Sequence, residues 1–133
     1  GSTPDPGPPP RPRILIVDDE SAVRAMLKTL LTEANFDTRE ARDGIEAIEL
    51  LNSLAADVVL LDLKMPRLGG MAALHRIRQR WPVTKVIVFS GEGTSADETP
   101  LDKALVAGAD FLLEKPVSRD GLLTALQLVL SQA

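Results

Sequence analysis

Residues 14–20 read ILIVDDE. Four consecutive branched aliphatic residues make a strand-length run with no polar member, and such a strand is buried on both faces, as in a parallel sheet covered by helices on each side. The run stops abruptly in Asp18, Asp19 and Glu20, so carboxylates stand where the strand leaves the core. The same pattern recurs along the chain: VVLL at 58–61 gives way to Asp62, VIVF at 86–89 to Ser90, and the strand over Phe111 to Leu113 leads to Lys115. Asp37 to Ala41 is the weakest of five strand candidates.

Between these runs the apolar spacing changes from continuous to three and four apart, the period of a helix facing a core. Val23, Met26, Leu27, Leu30 and Leu31 form one stripe after Ser21, and Ile45, Ile48 and Leu51 another, starting near Asp43-Gly44. Met71 to Arg80 predicts a third helix stopped at Trp81-Pro82, Leu101 to Ala107 a short one ending at Gly108, and Gly121 to Leu130 a last one behind Ser118. The alternation is (βα)5. Five strands are too few for an eight-stranded barrel, so the expected fold is an open, doubly wound α/β domain. Helices on both faces of the sheet would make it a three-layer sandwich.

The chain has 133 residues, enough for one domain. Its first 13 residues hold six of the ten prolines and no large apolar residue, so residues 1–12 read as a Pro-rich tail or linker and 13–133 as the folded domain. A tail of this kind commonly joins a domain to a flanking one in a longer protein. A net charge of −4 leaves no basic field to neutralise nucleic-acid phosphates. Cysteine is absent, which removes disulfides and thiolate metal sites. No apolar run approaches the roughly 20 residues that span a bilayer, and no signal peptide opens the chain, so the expected location is the cytoplasm. His75, the only histidine, reads as a surface residue, Arg76, Arg78 and Arg80 as a solvated helix end, and Trp81 as a half-buried helix terminus.

In open α/β sheets the ligand sits outside the carboxyl ends of the strands. Asp18, Asp19, Asp62, Ser90 and Lys115 all fall at that edge. The three aspartates against one lysine leave an excess of two negative charges. Two unit charges at 4 Å interact with about 4 kcal/mol at an effective dielectric of 20, so the edge should raise a carboxylate pKa or bind a cation. With oxygen donors and neither Cys nor a nearby His, Mg²⁺ fits better than a softer metal. A carboxylate such as Asp62, beside a dication and an ammonium, can attack a phosphoryl group and hold it as an acyl phosphate. Lys115 would neutralise one phosphoryl oxygen, and the Ser90 hydroxyl could donate to another. A phosphatase or phosphotransferase with an aspartyl nucleophile usually needs a second carboxylate two residues on, where this chain has Lys64. A nucleotide or flavin carrier wants a Gly, Ser or Thr loop after the first strand, where Asp18-Asp19-Glu20 would repel phosphate.

Four motifs in order, ILIVDDE, LDLKMPRLGG, VFSGEG and GADFLLEKP, give the chain a resemblance to the receiver domain of two-component response regulators over about Arg13 to Gln132. The resemblance implies a (βα)5 flavodoxin-like three-layer sandwich with its parallel sheet in the order 2-1-3-4-5, and a signalling switch rather than a turnover enzyme. Asp62 would be the phosphoacceptor, Asp18 and Asp19 the acidic pair, and Ser90 and Lys115 the hydroxyl and ammonium residues. It further implies Mg²⁺ held directly by Asp19, Asp62 and the backbone carbonyl of Lys64, with Asp18 acting through water. The implied donor is a phosphohistidine on a histidine kinase or histidine phosphotransfer protein, and a homodimer formed on phosphorylation is a further expected partner state. The chain departs from the family where an aromatic residue commonly stands three before the lysine. Leu112 occupies that place, and Phe111 should point to the other face of the strand. Val117 replaces the Phe that commonly follows Lys-Pro. The polar stretch from Gly91 to Pro100 is long for its connection. The switch region is accordingly expected around Gly91, Glu92 and Leu112, with the ordering of that stretch and a shift of the 101–107 helix carrying the response. A receiver-like interaction module that never uses phosphorylation is the alternative.

Overall fold

Each strand's alternate residues enter different cores, which is how a continuous apolar run is satisfied. The computed structural model describes residues 11–63, 69–90 and 108–132. Its elements are β1 (Arg13–Val17), α1 (Ser21–Glu33), β2 (Asp37–Ala41), α2 (Gly44–Ser53), β3 (Val58–Asp62), α3 (Gly70–Arg80), β4 (Lys85–Ser90), β5 (Phe111–Glu114) and α4 (Arg119–Ser131). The helix expected over Leu101 to Ala107 and residues 1–10 of the expected tail lie outside the described residues. All five strands pair in parallel in the order β2-β1-β3-β4-β5.

On one face Ile14, Ile16, Val58, Leu60, Ile87 and Phe89 pack with Leu27 and Leu31 of α1 and Leu122, Ala125, Leu126 and Val129 of α4. On the other, Leu15, Val17, Val59, Leu61, Val86 and Val88 meet Ala47, Ile48 and Leu51 of α2 and Ala73, Leu74 and Ile77 of α3. Burying such a side chain fully stabilises the fold by about 1.5 to 3 kcal/mol. β2 is the exception, and its position explains why its sequence is weak. As the edge strand it buries Ala41 fully and leaves Asp37 and Arg39 exposed.

Helix starts follow the sequence with one revision. Asp43 accepts from the Glu46 N–H at the head of α2, and Ser118 from the Gly121 N–H at the head of α4. Ser21, by contrast, is already the first residue of α1, and no side chain caps that helix. Instead Asp18 Oδ1 accepts from the Glu20 N–H at 2.9 Å, tying the acidic turn to the helix entry. His75 is exposed and Trp81 half-buried at the end of α3, as expected, and Arg76 and Arg80 are solvated.

Arg78 overturns the expectation of a uniformly solvated arginine group. Its Nε donates to the Gly108 carbonyl at 2.6 Å, its Nη1 to the carbonyls of Pro82 at 3.2 Å and Thr84 at 2.7 Å, and its Nη2 to Asp110 Oδ2. The same Asp110 oxygen accepts from the Val86 N–H at 2.8 Å. The guanidinium therefore fastens α3, the turn into β4 and the entry to β5. Gly108 has φ +108°, a backbone state that other residues rarely adopt, and a Cβ there would lie 3.2 Å from Cγ of Arg78.

Candidate functional site

The parallel sheet brings the polar residues that follow β1, β3 and β5 to one edge. Val17 pairs with Leu61, so Asp18 follows β1 level with Asp62 at the end of β3, and Asp62 pairs with Phe89 of β4. Asp18 is 0% and Asp62 2% exposed. Lys115, just past β5, donates from Nζ to Asp18 Oδ2 at 3.0 Å and to Asp62 Oδ2 at 3.3 Å. One ammonium thus spans two buried carboxylates carried by different strands, an arrangement tolerable only because each charge has a partner. Burial pushes the Lys115 pKa down, but the hydrogen bond with Asp18 and the negative charges of Asp62 and Asp18 outweigh it and raise the value above 10.5. Lys115 is therefore charged at neutral pH. The Lys115–Pro116 peptide bond is cis.

Three of the described neighbours help frame the site. Arg24 of α1 donates from Nη1 to the Asp18 carbonyl at 2.6 Å and from Nε to Glu40 Oε1 at 3.3 Å, fixing the acidic turn between α1 and β2. Phe89 sets its ring 5.3 Å from Lys115 Nζ, and its carbonyl accepts from the Leu63 N–H at 3.1 Å. Gly70, the first residue of α3, lies so close to β3 that a Cβ would stand 2.5 Å from both the Asp62 carbonyl oxygen and the Leu63 Cα. None of the three was singled out from sequence. The available signals were a cation one helical turn beyond the acidic run, an aromatic next to Ser90, and a glycine pair ahead of an apolar stripe.

Asp19 is exposed beside the buried Asp18, and carboxylate oxygens of Asp18, Asp19 and Glu20 lie within 4.8 Å of one another. This is a hard, all-oxygen donor set with excess negative charge, the chemistry that suits Mg²⁺. Glu20 stands beside this pair as a third, exposed carboxylate. Ser90 closes β4, paired with Glu114. Lys64, Gly91 and Glu92 lie outside the described residues. Leu112 packs toward α2 and α3, while Phe111, Leu113 and Val117 pack toward α1 and α4, so Phe111 does face away from Leu112's side of the sheet.

The response regulator receiver domain profile matches residues 14–127. The chain is 36% identical over 118 residues to the chemotaxis protein CheY of Thermotoga maritima, an alignment covering 88% of this chain and 96% of that protein. It is also 40% identical over 111 residues to a protein-glutamate methylesterase/protein-glutamine glutaminase of Pyrococcus horikoshii, covering 80% of this chain but 29% of that protein. The chain thus spans about three tenths of the length of that relative. Among solved structures, the receiver domain of NtrX from Brucella abortus superposes with a TM-score of 0.83 at 33% identity, covering 90% of this chain and 99% of that one. Sheet order, the buried carboxylates spanned by a lysine, and these likenesses agree: the chain belongs to the response regulator receiver domain family.

Proposed function

We propose that this chain is a phosphorylation-dependent switch in which Asp62 accepts a phosphoryl group from a phosphohistidine on a histidine kinase or histidine phosphotransfer protein. The observation that carries this reading is the Lys115 ammonium held between two buried carboxylates at the carboxyl edge of the sheet. An Asp62 carboxylate oxygen forms the new bond to phosphorus as the phosphorus–nitrogen bond of the donor breaks, and the imidazole leaves with that electron pair. Lys115 neutralises a phosphoryl oxygen, and the Ser90 hydroxyl donates to another. Asp19, Asp62 and the Lys64 carbonyl, with Asp18 through water, would hold Mg²⁺, which when bound would supply charge neutralisation for the transfer. Water later attacks the same phosphorus and returns Asp62 to its free carboxylate, so the domain regulates rather than turns over substrate. A phosphohistidine donor also fits a cytoplasmic location, and among the described residues no helix is long and apolar enough to cross a membrane.

Phosphorylation adds about −1.5 to −2 charge and three acceptor oxygens. The surface around Gly91, Glu92 and Leu112 is the proposed reporter of that change, read by a partner, a flanking domain or a second copy of the chain. The test is incubation with acetyl phosphate and Mg²⁺, followed by intact-mass measurement and hydroxylamine treatment. One hydroxylamine-labile phosphoryl group on the protein supports the reading. An unmodified chain that still binds its partner overturns it in favour of a phosphorylation-independent interaction module.

A further inference from the structure

Among the groups around Lys115, Phe89 has no part in the reading above, yet its ring is placed as a third anchor. We infer that Phe89 is a positioning residue: its ring face holds the Lys115 ammonium in the span between Asp18 and Asp62. The inference rests on the reading of Lys115 as the group that meets the phosphoryl oxygens.

Lys115 Nζ lies 5.3 Å from the centre of the Phe89 ring, inside the roughly 6 Å over which the negative face of an aromatic ring attracts a cation. Phe89 is itself immobile. It is 1% exposed and built into the core formed with α1 and α4, its backbone pairs with Asp62, and its carbonyl receives the Leu63 N–H. A ring so fixed can orient a flexible four-carbon side chain, whereas a mobile ring could not. Lys115 has reason to need such help. Its side chain is 19% exposed, and an unanchored lysine keeps rotamer freedom that must be lost before it meets a phosphoryl group. The ring offers a favourable contact that spends none of the lone pairs of Asp18 and Asp62. Since Leu112 supplies no aromatic ring from β5, the aromatic nearest the reacting edge comes from β4.

The test compares the wild-type chain with Phe89→Leu and with a chain carrying 3,4,5-trifluorophenylalanine at 89. The fluorinated ring keeps nearly the shape of Phe89 while withdrawing negative charge from its face, so it remains informative if the leucine variant does not fold. Two readouts are taken: the proton shifts of the Lys115 ε-methylene in the resting protein, and the rate of labelling by acetyl phosphate with Mg²⁺. In wild type the ring current should move the ε-methylene protons upfield. Fluorination should relax that shift, Phe89→Leu should abolish it, and labelling should slow by about threefold to tenfold in both. Unchanged Lys115 shifts and labelling rate in the fluorinated chain would overturn the inference while leaving Asp62 as phosphoacceptor. Absence of labelling in wild type would instead sink the phosphoacceptor reading, and the methylene shifts would still decide whether the ring holds Lys115.

Discussion

The strand β5 is flanked by two ionic clusters, and their difference separates architecture from chemistry. At its entry, Arg78 and Asp110 balance one charge against one. The guanidinium donates to three carbonyls besides the carboxylate, and Asp110 Oδ2 also receives the Val86 N–H. At its exit, Lys115 faces two buried carboxylates, with Asp19 and Glu20 adding further negative charge close by. The first cluster is electrically closed and has no appetite for a ligand. Among the described residues the second sets four carboxylates, two of them buried, against the Lys115 ammonium, and that excess of hard oxygen donors suits a cation. Both contain ion pairs at the edge of the core, so pairing alone does not mark a site. The excess of carboxylates among the described residues does.

Substitutions at the two ends should accordingly fail in different ways. Asp62→Asn should abolish hydroxylamine-sensitive phosphate incorporation altogether, and full labelling of that variant would place the acceptor elsewhere. Arg78→Met should lower stability by about 2 to 3 kcal/mol in urea unfolding, because several partly buried acceptors lose their donor at once. Its folded fraction should label at the wild-type rate, and a large loss of labelling would show that the two ends are coupled. Lys115→Met should bind Mg²⁺ about tenfold more tightly by titration, since one positive charge leaves an already negative site. Weaker binding would mean that Lys115 shapes the site more than it repels the dication.

Smaller effects sharpen the same contrast. Gly108→Ala should cost about 1 kcal/mol, from its positive φ and its proximity to the Arg78 side chain, with Mg²⁺ affinity unchanged. The smallest effect is that of pH in metal-free buffer. The folded-state pKa of Lys115 is raised above 10.5, so the stability its charge contributes is fully present below that pH and is lost as pH rises through the folded value. The stability difference between wild type and Lys115→Met should therefore shrink above pH 10.5, and a difference that grows there would contradict the assigned direction.

The interior strands were legible because burial on both faces writes an unbroken apolar run. β2 was faint because an edge strand can keep Asp37 and Arg39 in water. Asp18, Asp62 and Lys115 could be found because each is a polar residue just beyond such a run, and parallel order sends all three to one edge. Arg24, Phe89 and Gly70 could not, since what each does depends on which element lies beside it in space. Phe89 in particular reads only as core, which it also is. Arg78 was misread as solvated because its acceptors at Gly108 and Asp110 lie about thirty residues further along the chain.

Gly70 gives the site a mechanical gauge. The start of α3 rests against the backbone of Asp62 and Leu63 across a gap that admits a hydrogen atom and nothing larger. Because the atoms that a methyl group would strike belong to backbone, no side chain can swing aside to make room. Either the start of α3 or the strand end would have to retreat, and a retreating strand would carry the Asp62 carboxylate away from the lysine that spans it. The aim of a charged group is thereby set by the smallness of a residue on the neighbouring helix, and it can be spoiled without altering any charge.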